Sequence, residues 1–329
     1  MTSKMIIKHK LFEGQHCETV ATGNLLYQQG LCLSESMMFG LGEGFGFIFL
    51  NLSSLNLPFI GGRSKPFSLT EKLCANLNIQ LDAYETSSKG KALEYLYTPI
   101  QNGNCVGLQL DSYYLDYFTN KIHFAGHFVA VYGVDGDNIL LIDTKQQGGR
   151  QKTSIANIEK ARFAKGVMAA KARTWTVTVS KTDINLSGPI KKAIRNNASD
   201  YLNPAFKGMS FLGIEKLAKS LPKWIQIAKN PQVDLALSAM LMERAGTGGS
   251  IFRCFYRDFL KESFDILGTK KIEQGFQTFK GIADDWKEVS SLIERAGKDD
   301  SVEPLIKASV LCTSLAQREK SVMELLSSI

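Results

Sequence analysis

The feature that most constrains the fold is a pair of short apolar runs separated by a turn signal. Residues 128–134 and 138–142 are rich in valine, leucine and isoleucine, and an Asp-Gly-Asp sequence at positions 135–137 lies between them. Such runs favour extended strands, and Asp-Gly is typical of the tight turn of a hairpin. The sequence therefore predicts a β-hairpin here, and with it an antiparallel sheet.

Two residues with acid–base chemistry stand at the open end of this hairpin. His127 precedes the first strand and Asp143 follows the second. Since the outer ends of antiparallel strands return to the same edge of a ladder, the two side chains are expected to lie close together. A carboxylate beside an imidazole orients the ring, so His127 is predicted to be a general base and Asp143 its orienting partner.

A nucleophile for this base is predicted upstream, at Cys17. Residues 17–29 contain no strong helix breaker except Gly23, and Gly30 supplies a C-terminal stop, so Cys17 lies in the first turn of a predicted helix. The helix dipole and the free N–H groups of a first turn favour a thiolate. A plain buried cysteine is the competing interpretation. The helix-start position and the downstream histidine and aspartate favour the nucleophile.

The remaining cysteines form no recognisable framework. They stand at positions 32, 74, 105, 254 and 312, without C-x-x-C pairs or histidines at metal-ligand spacing. Neither a disulfide framework nor a metal site is therefore predicted.

The pattern along the chain predicts two domains. Helical and strand-like segments mix in the first half, whereas Leu-, Ala-, Lys- and Glu-rich segments at helical spacing follow, with Pro222 predicting a break. We expect a catalytic domain over residues 1–182 and a helical domain over residues 183–329 that covers or flanks the active site. The expected fold class is α+β.

The middle of the chain is strongly basic. Residues 144–230 hold 17 Lys or Arg residues against four acidic residues, a net charge of +13. Such a balance favours an acidic partner, although a solvated surface is the plainer interpretation. Nucleic acid is not expected, because no binding motif or interleaved aromatic pattern accompanies the charge. No membrane segment or signal peptide is predicted either, so a cytoplasmic location is expected.

A glycine-rich stretch spans residues 33–47, where four glycines alternate with bulky side chains. A phosphate-binding loop is not predicted, because no Gly-Lys-Ser/Thr sequence follows and no suitable strand precedes. The glycines are expected instead to let the backbone pass close under the helix that carries Cys17.

A set of motifs carries a family resemblance. They are His16-Cys17, Leu-Ser-Glu at 33–35 running into Phe-Gly-Leu-Gly at 39–42, Gly61-Gly62-Arg63, Leu-Asp-Ser-Tyr-Tyr-Leu at 110–115, Gly-His-Phe-Val-Ala-Val-Tyr-Gly at 126–133 with Asp143, Glu-Arg-Ala-Gly-Thr-Gly-Gly-Ser-Ile-Phe-Arg at 243–253, and residues 256–260. Together they resemble the butirosin biosynthesis protein H family, whose first domain is similar to papain-like cysteine peptidases. The resemblance spans most of the chain.

The resemblance implies a papain-like helix and twisted antiparallel sheet, followed by an all-α domain. It also implies acyl transfer: such enzymes take an acyl group from the phosphopantetheine thioester of an acidic acyl carrier protein and pass it to an amine, which forms an amide in natural-product biosynthesis. Cys17 would be the nucleophile, His127 the base and acid, and Asp143 the orienting carboxylate. No bound cofactor is implied beyond the phosphopantetheine arm of the carrier.

Further residues are expected around this triad. Papain-like enzymes carry an oxyanion glutamine several residues before the cysteine, whereas Gln15 is only two before Cys17. The N–H of Cys17 is therefore the expected oxyanion donor, with Gln15 and His16 as helpers. The glycine-rich connection before Arg253 is expected to bind an anion, although a plain turn is the competing interpretation. The expected substrate-binding residues are Glu35, Asp111, Tyr114, Gly248, Gly249, Arg253 and Tyr256.

Two other functions stay open. A cysteine peptidase or amidase would use the same triad and pass the acyl group to water. A non-catalytic binding module is disfavoured by the intact Cys-His-Asp set. The basic segment favours a carrier-dependent transferase, because carrier proteins are generally acidic. Its second substrate would be an amine-bearing small molecule, and an exposed face of the helical domain is compatible with a homodimer.

Overall fold

The computed structural model describes residues 4–52, 55–62, 65–119, 121–166, 168–244 and 248–329. Short 3-10 helices lie at Ser112–Tyr114, Lys145–Gln147 and Leu221–Lys223. The other elements are, in chain order, β1 (Met5–Ile6), α1 (Cys17–Gln28), α2 (Glu35–Leu41), β2 (Ile48–Leu50), β3 (Phe59–Gly61), α3 (Ser68–Leu77), β4 (Gln80–Tyr84), α4 (Lys89–Gln101), β5 (Val106–Leu110), β6 (His127–Asp135), β7 (Asn138–Ile142), β8 (Arg150–Ser154), α5 (Ile155–Arg162), β9 (Thr174–Thr178), α6 (Ser187–Leu202), α7 (Ser210–Ser220), α8 (Trp224–Ile227), α9 (Pro231–Arg244), α10 (Ser250–Leu267), α11 (Lys270–Asp299) and α12 (Glu303–Ser327).

The chain folds into two compact units, and the first is interrupted. The first unit comprises Met1–Met38 and Pro66–Ile184, and the second comprises Phe39–Lys65 and Asn185–Ile329. The last change from the first unit to the second, between Ile184 and Asn185, lies close to the predicted domain boundary at residues 182–183. Residues 39–65, however, belong to the helical unit, because their aromatic side chains pack there: Phe39 stacks on Phe252 with ring centroids 5.2 Å apart, and Phe45 stacks on Tyr256 at 4.8 Å.

The first unit is built around a seven-stranded sheet in the order β4-β9-β5-β6-β7-β8, with β1 also paired to β6 and every pairing antiparallel. The predicted hairpin is confirmed as β6 and β7. Asp135 pairs with Asn138 across a tight turn in which Gly136 has φ +59°, a conformation that glycine adopts without strain. This sheet and the helices beside and after it confirm the α+β fold class.

The apolar core of the first unit lies against this sheet. β6 is buried along nearly its whole length, as expected for a central strand covered on both faces. Helix α1 begins at Cys17 as predicted and is also buried almost all round, which identifies it as an internal helix. One core cluster contains Leu96, Ile100, Val106, Leu108, Leu110, Leu115, Val129, Val131, Val134, Ile139, Leu141, Ile158 and Ala161.

The glycine-rich stretch begins as the helix α2, and Gly40 belongs to the second unit. A Cβ atom at Gly40 would lie 2.0 Å from the Phe259 ring. Gly40 therefore makes room for α10, and its expected role under the helix of Cys17 is not confirmed.

The second unit is a helical bundle with the β2–β3 hairpin added. Helix α11 is its longest element, and it packs against α9, α10 and α12. The predicted break at Pro222 is confirmed, since a 3-10 turn there separates α7 from α8. Among the described residues, no helix has both the length and the apolar character needed to cross a lipid bilayer.

Candidate active site

The open end of the β6–β7 hairpin holds a buried histidine–aspartate pair. His127 Nε2 and Asp143 Oδ2 are 2.7 Å apart, and both side chains are more than nine-tenths buried. Ala130 pairs with Ile142, so by extension of this register Asp143 lies diagonally across from His127, a separation that long side chains can bridge. The hairpin thus brings together the two residues that its sequence predicted.

The thiol of Cys17 completes this arrangement. It lies beside the His127 imidazole and contributes to the raised pKa of that ring. Because Nε2 of the ring contacts Asp143, Nδ1 is the nitrogen left for proton exchange with the sulfur. Cys17 is half-buried and is the first residue of α1, with His16 preceding the helix in an extended conformation. The three predicted catalytic residues are therefore neighbours, with the imidazole between the sulfur and the carboxylate.

The electrostatics of the pair favour a charged imidazole. Burial disfavours that charge, but the attraction of the Asp143 carboxylate and the hydrogen bonds to Asp143 and Cys17 outweigh it and raise the pKa of His127 above 6.5. The arrangement is thus suited to nucleophilic attack by sulfur and to proton transfer by the ring.

Asp143 has two further donors that fix its orientation. The N–H of Thr144 donates to Oδ1 at 2.6 Å, and the Tyr117 hydroxyl donates to Oδ2 at 2.7 Å. Phe118 packs edge-on against His127, with ring centroids 5.2 Å apart. Neither aromatic residue was singled out by the sequence, because a dense aromatic run is usually core. No local signal marks Tyr117 as a partner of Asp143.

Glu35 holds the loop that leads into α1. Its carboxylate accepts the N–H groups of Gln15 and His16 and the hydroxyl of Thr19, all within 3.0 Å. A Cβ atom on Gly14 would lie 2.7 Å from a Glu35 oxygen, so this approach requires glycine. These contacts hold the loop before Cys17, the predicted nucleophile, and the predicted role of Glu35 in substrate binding stays a prediction.

The contacts of Glu35 reduce the number of N–H groups that are available as oxyanion donors. The N–H groups of Gln15 and His16 are taken by the carboxylate. The His16 ring is buried and lies 3.3 Å from the Thr19 hydroxyl. In the part of the chain that the structure describes, no acceptor is recorded for the N–H of Cys17. That group and the exposed side chain of Gln15 therefore remain the predicted oxyanion donors.

Asp111 and Tyr114 lie in the connection between β5 and β6. The Asp111 carboxylate accepts the N–H groups of Tyr113 and Phe124 and contacts His123 Nδ1 at 2.8 Å. Asp111 thus shapes this connection, in place of the substrate contact predicted for it. Tyr114 is partly buried against the apolar core, and its role in substrate binding stays a prediction.

The predicted anion site before α10 is filled by the protein itself. Glu243 accepts the N–H of Ser250 at 3.0 Å as well as its hydroxyl. Arg253 is fully buried in an ion pair with Glu319 and also donates to the carbonyl of Gly248. Its guanidinium is therefore structural, not a ligand contact.

Other predictions in this part of the chain have different outcomes. Tyr256 is fully buried and stacked on Phe45, which is a packing role. Gly249 and Gly248 are buried, and their part in substrate binding stays a prediction. Arg63 and residues 245–247 lie outside the described residues.

Across the described ranges, no group of three or more His, Cys, Asp or Glu side chains has a metal-binding arrangement.

A second cysteine–histidine contact provides an internal comparison. Cys105 Sγ lies 3.9 Å from His9 Nδ1, and His9 Nε2 lies 3.3 Å from the Asn24 amide oxygen. Burial lowers the pKa of His9 and raises the pKa of Cys105 to about 12. Without a carboxylate on the ring, this pair stays neutral. The Cys17 pair differs because Asp143 supplies a negative charge.

We expect iodoacetamide to label Cys17 at least about tenfold faster than any other cysteine at neutral pH. Exposure alone would favour Cys32, which is the most exposed, whereas burial raises the pKa of Cys74 to about 12 and that of Cys312 further. Peptide mass spectrometry over a time course measures each rate. In a His127→Ala variant, Cys17 should lose its advantage while Cys32 reacts as before. Faster labelling of Cys32 in the unmodified protein would remove Cys17 as the activated thiol.

Comparison with known proteins gives two family matches along the chain. Residues 16–144 match the family described as "Butirosin biosynthesis protein H, N-terminal", and this match includes Cys17, His127 and Asp143. Residues 156–326, more than half of the chain, match the family described as "Domain of unknown function (DUF4872)". No curated protein matches the sequence. The chain therefore belongs to the family of that domain of unknown function, and its residues 16–144 match the N-terminal domain of butirosin biosynthesis protein H.

Proposed function

We propose that the protein is an acyltransferase that moves an acyl group from the phosphopantetheine thioester of an acyl carrier protein to an amine. The observation that carries the proposal is the His127–Asp143 hydrogen bond with the Cys17 thiol beside the imidazole. A thiol activated in this way attacks acyl carbonyl groups and holds the acyl group as a thioester. The family description, which refers to butirosin biosynthesis, supports a role in antibiotic biosynthesis.

In the first half-reaction, the Cys17 sulfur attacks the carbonyl carbon of the carrier thioester. The negative charge that develops on the carbonyl oxygen is stabilised by the N–H of Cys17, with Gln15 as a second donor. The bond from carbon to the pantetheine sulfur then breaks. His127 gives its proton to that sulfur, so the carrier leaves as a free thiol and the acyl group stays on Cys17.

In the second half-reaction, the nitrogen of the acceptor amine attacks the acyl-Cys17 carbonyl. Neutral His127 takes the proton from the nitrogen while the carbon–nitrogen bond forms and the bond to the Cys17 sulfur breaks. Sulfur and imidazole thereby return to their starting charges. Asp143 keeps Nε2 of the ring engaged throughout, so that Nδ1 faces the sulfur and the amine.

Exposed basic side chains in the first unit support an acidic carrier as the donor. Lys145 is exposed, and its N–H donates to the carbonyl of Gly14 at 2.8 Å, so its backbone is tied to the loop before Cys17. Not all of the basic segment is available in this way, because Arg162 is buried and Arg173 pairs with Glu85. The exposed lysines that follow are Lys152, Lys160, Lys165 and Lys181, whereas Lys171 also pairs with Glu85.

The test is intact-protein mass spectrometry after mixing the protein with acyl-loaded carrier proteins. We expect an adduct with the mass of the acyl group, which an added primary amine removes at least about tenfold faster than buffer alone, with the matching amide as product. A carrier that lacks its phosphopantetheine arm is the control and should give no adduct. An adduct that water clears as fast as amines, or turnover of simple peptides without any adduct from carriers, would instead identify a hydrolase.

A further inference from the structure

The strongest unassigned feature of the first unit is a tyrosine that shares one carboxylate oxygen with the catalytic histidine. We propose that Tyr117 is a positioning residue of the active site, which holds the Asp143 carboxylate in the orientation that His127 requires. This inference rests on the proposed roles of Cys17, His127 and Asp143, but not on the identity of the acyl donor. Tyr117 itself does not contact the reacting atoms in this role.

The geometry of the carboxylate supports this assignment. Asp143 Oδ2 lies 2.7 Å from both the Tyr117 hydroxyl and His127 Nε2. Its other oxygen, Oδ1, accepts the N–H of Thr144 at 2.6 Å. A carboxylate with donors on both oxygens cannot rotate about its χ2 bond without breaking one of them. Without Tyr117, only Thr144 and the imidazole itself would hold it.

The segment that carries Tyr117 is anchored on both sides. The neighbouring Asp116 accepts the Thr153 hydroxyl at 2.7 Å and the Asn157 amide at 2.6 Å, which ties the segment to β8 and α5. Lys121 Nζ donates to the carbonyl of Leu115 at 2.7 Å. These contacts place the tyrosine by a fixed framework, which is what a positioning residue needs.

The hydroxyl of Tyr117 acts as a donor throughout the ordinary pH range. Burial, and then the Asp143 and Cys17 charges, raise the pKa of Tyr117 well above 10. The titratable groups that face the imidazole are Cys17 from α1 and Asp143 beyond the end of β7, with Tyr117 on the far side of Asp143; Phe118 adds an uncharged ring edge.

The hydrogen bond from Tyr117 to Asp143 also weakens the electrostatic attraction between that carboxylate and the imidazolium. Because the hydroxyl neutralises part of the charge on Oδ2, its removal should leave a more strongly attracting carboxylate. The proposal therefore has a signed consequence. In a Tyr117→Phe variant, the His127 ring should hold its proton to higher pH, while the looser carboxylate should lower the rate of catalysis.

The experiment is a nitrogen NMR titration of the histidine side chains, with Tyr117→Phe compared with the unmodified protein and with Tyr113→Phe. Only four histidines need assignment. Tyr113 lies in the same connection and is exposed, and phenylalanine preserves its stacking on His123. We expect an upward shift of at least several tenths of a pH unit for His127 in Tyr117→Phe and none in Tyr113→Phe. An unchanged or lowered midpoint would overturn the proposal, whatever happens to thermal stability.

Acyl transfer is the second readout. Loss of one hydrogen bond to a charged group is expected to lower the turnover rate about tenfold in Tyr117→Phe, and a rate within twofold of the unmodified protein would count against the proposal. If carriers give no acyl transfer at all while the titration still shifts as expected, the role of Tyr117 is supported and the proposed donor is wrong. The two failures are therefore separable.

Discussion

Replacing Cys17 with alanine is expected to lower the rate of acyl transfer by about 10⁴-fold or more and to abolish the acyl adduct. The expectation follows from the position of the sulfur beside His127, whose imidazole is hydrogen bonded to Asp143. Without a sulfur, no covalent intermediate forms, and the histidine and aspartate have nothing to activate. Removal of the nucleophile from such a set costs nearly as much as removal of the whole set.

Steady-state turnover and intact mass measure this effect, and the chain offers a matched control. Cys32 belongs to the same unit and is exposed, so Cys32→Ala should keep the unmodified rate and the adduct. Circular dichroism should show the same fold for both variants. If Cys17→Ala kept a rate within tenfold of the unmodified protein, the chemistry would not proceed through this thiol.

The second large effect is structural and lies in the helical unit. Replacing Glu319 with alanine is expected to destabilise that unit by about 3–5 kcal/mol, because Arg253 would be left buried without its counter-ion. The Glu319 carboxylate accepts from Arg253 Nε at 2.9 Å and from Trp286 Nε1 at 2.7 Å, as well as from the Tyr201 hydroxyl. Neither charge of the pair is exposed to solvent.

Thermal or urea unfolding monitored by tryptophan fluorescence reports this loss, which corresponds to a fall of roughly 10 °C in the melting midpoint. Glu324→Ala is the matched control on the same helix. Its carboxylate lies 3.8 Å from Lys320 Nζ, and both side chains are largely exposed, so the change should cost less than about 1 kcal/mol. Equal losses of stability in the two variants would show that the Arg253–Glu319 pair does not stabilise this core.

The parts of the site that the sequence predicted are those fixed by local patterns. The Asp-Gly turn sets the register of the hairpin, and the register brings Asp143 within reach of His127. The start of α1 at Cys17 follows from an uninterrupted helical segment and a glycine stop. The proximity of Cys17 to His127 was predicted from the order of the three residue types and from the family resemblance. No local pattern encodes a contact between distant segments.

The features that the sequence did not predict depend on packing across the chain. Glu35 sits twenty residues from the loop it holds, and Tyr117 lies in an irregular connection where periodicity carries no information. Strands β4 and β8 were also missed, because they are polar and largely exposed at the sheet edges and so lack an apolar alternation. Arg253 was expected to bind an anion from outside, whereas it pairs with Glu319 inside the helical unit.

The interrupted first unit has a practical consequence for dissecting this protein. Residues 39–65 lie between the helix that begins at Cys17 and the segments that supply His127 and Asp143, yet they complete the other unit. A single cut near residue 182 would leave the helical bundle without Phe39 and Phe45 and would expose their apolar surface on the remaining fragment. Expression of residues 1–182 or 183–329 alone is thus a poor way to study either unit. A separate first unit requires that residues 39–65 be removed and that residues 38 and 66 be joined.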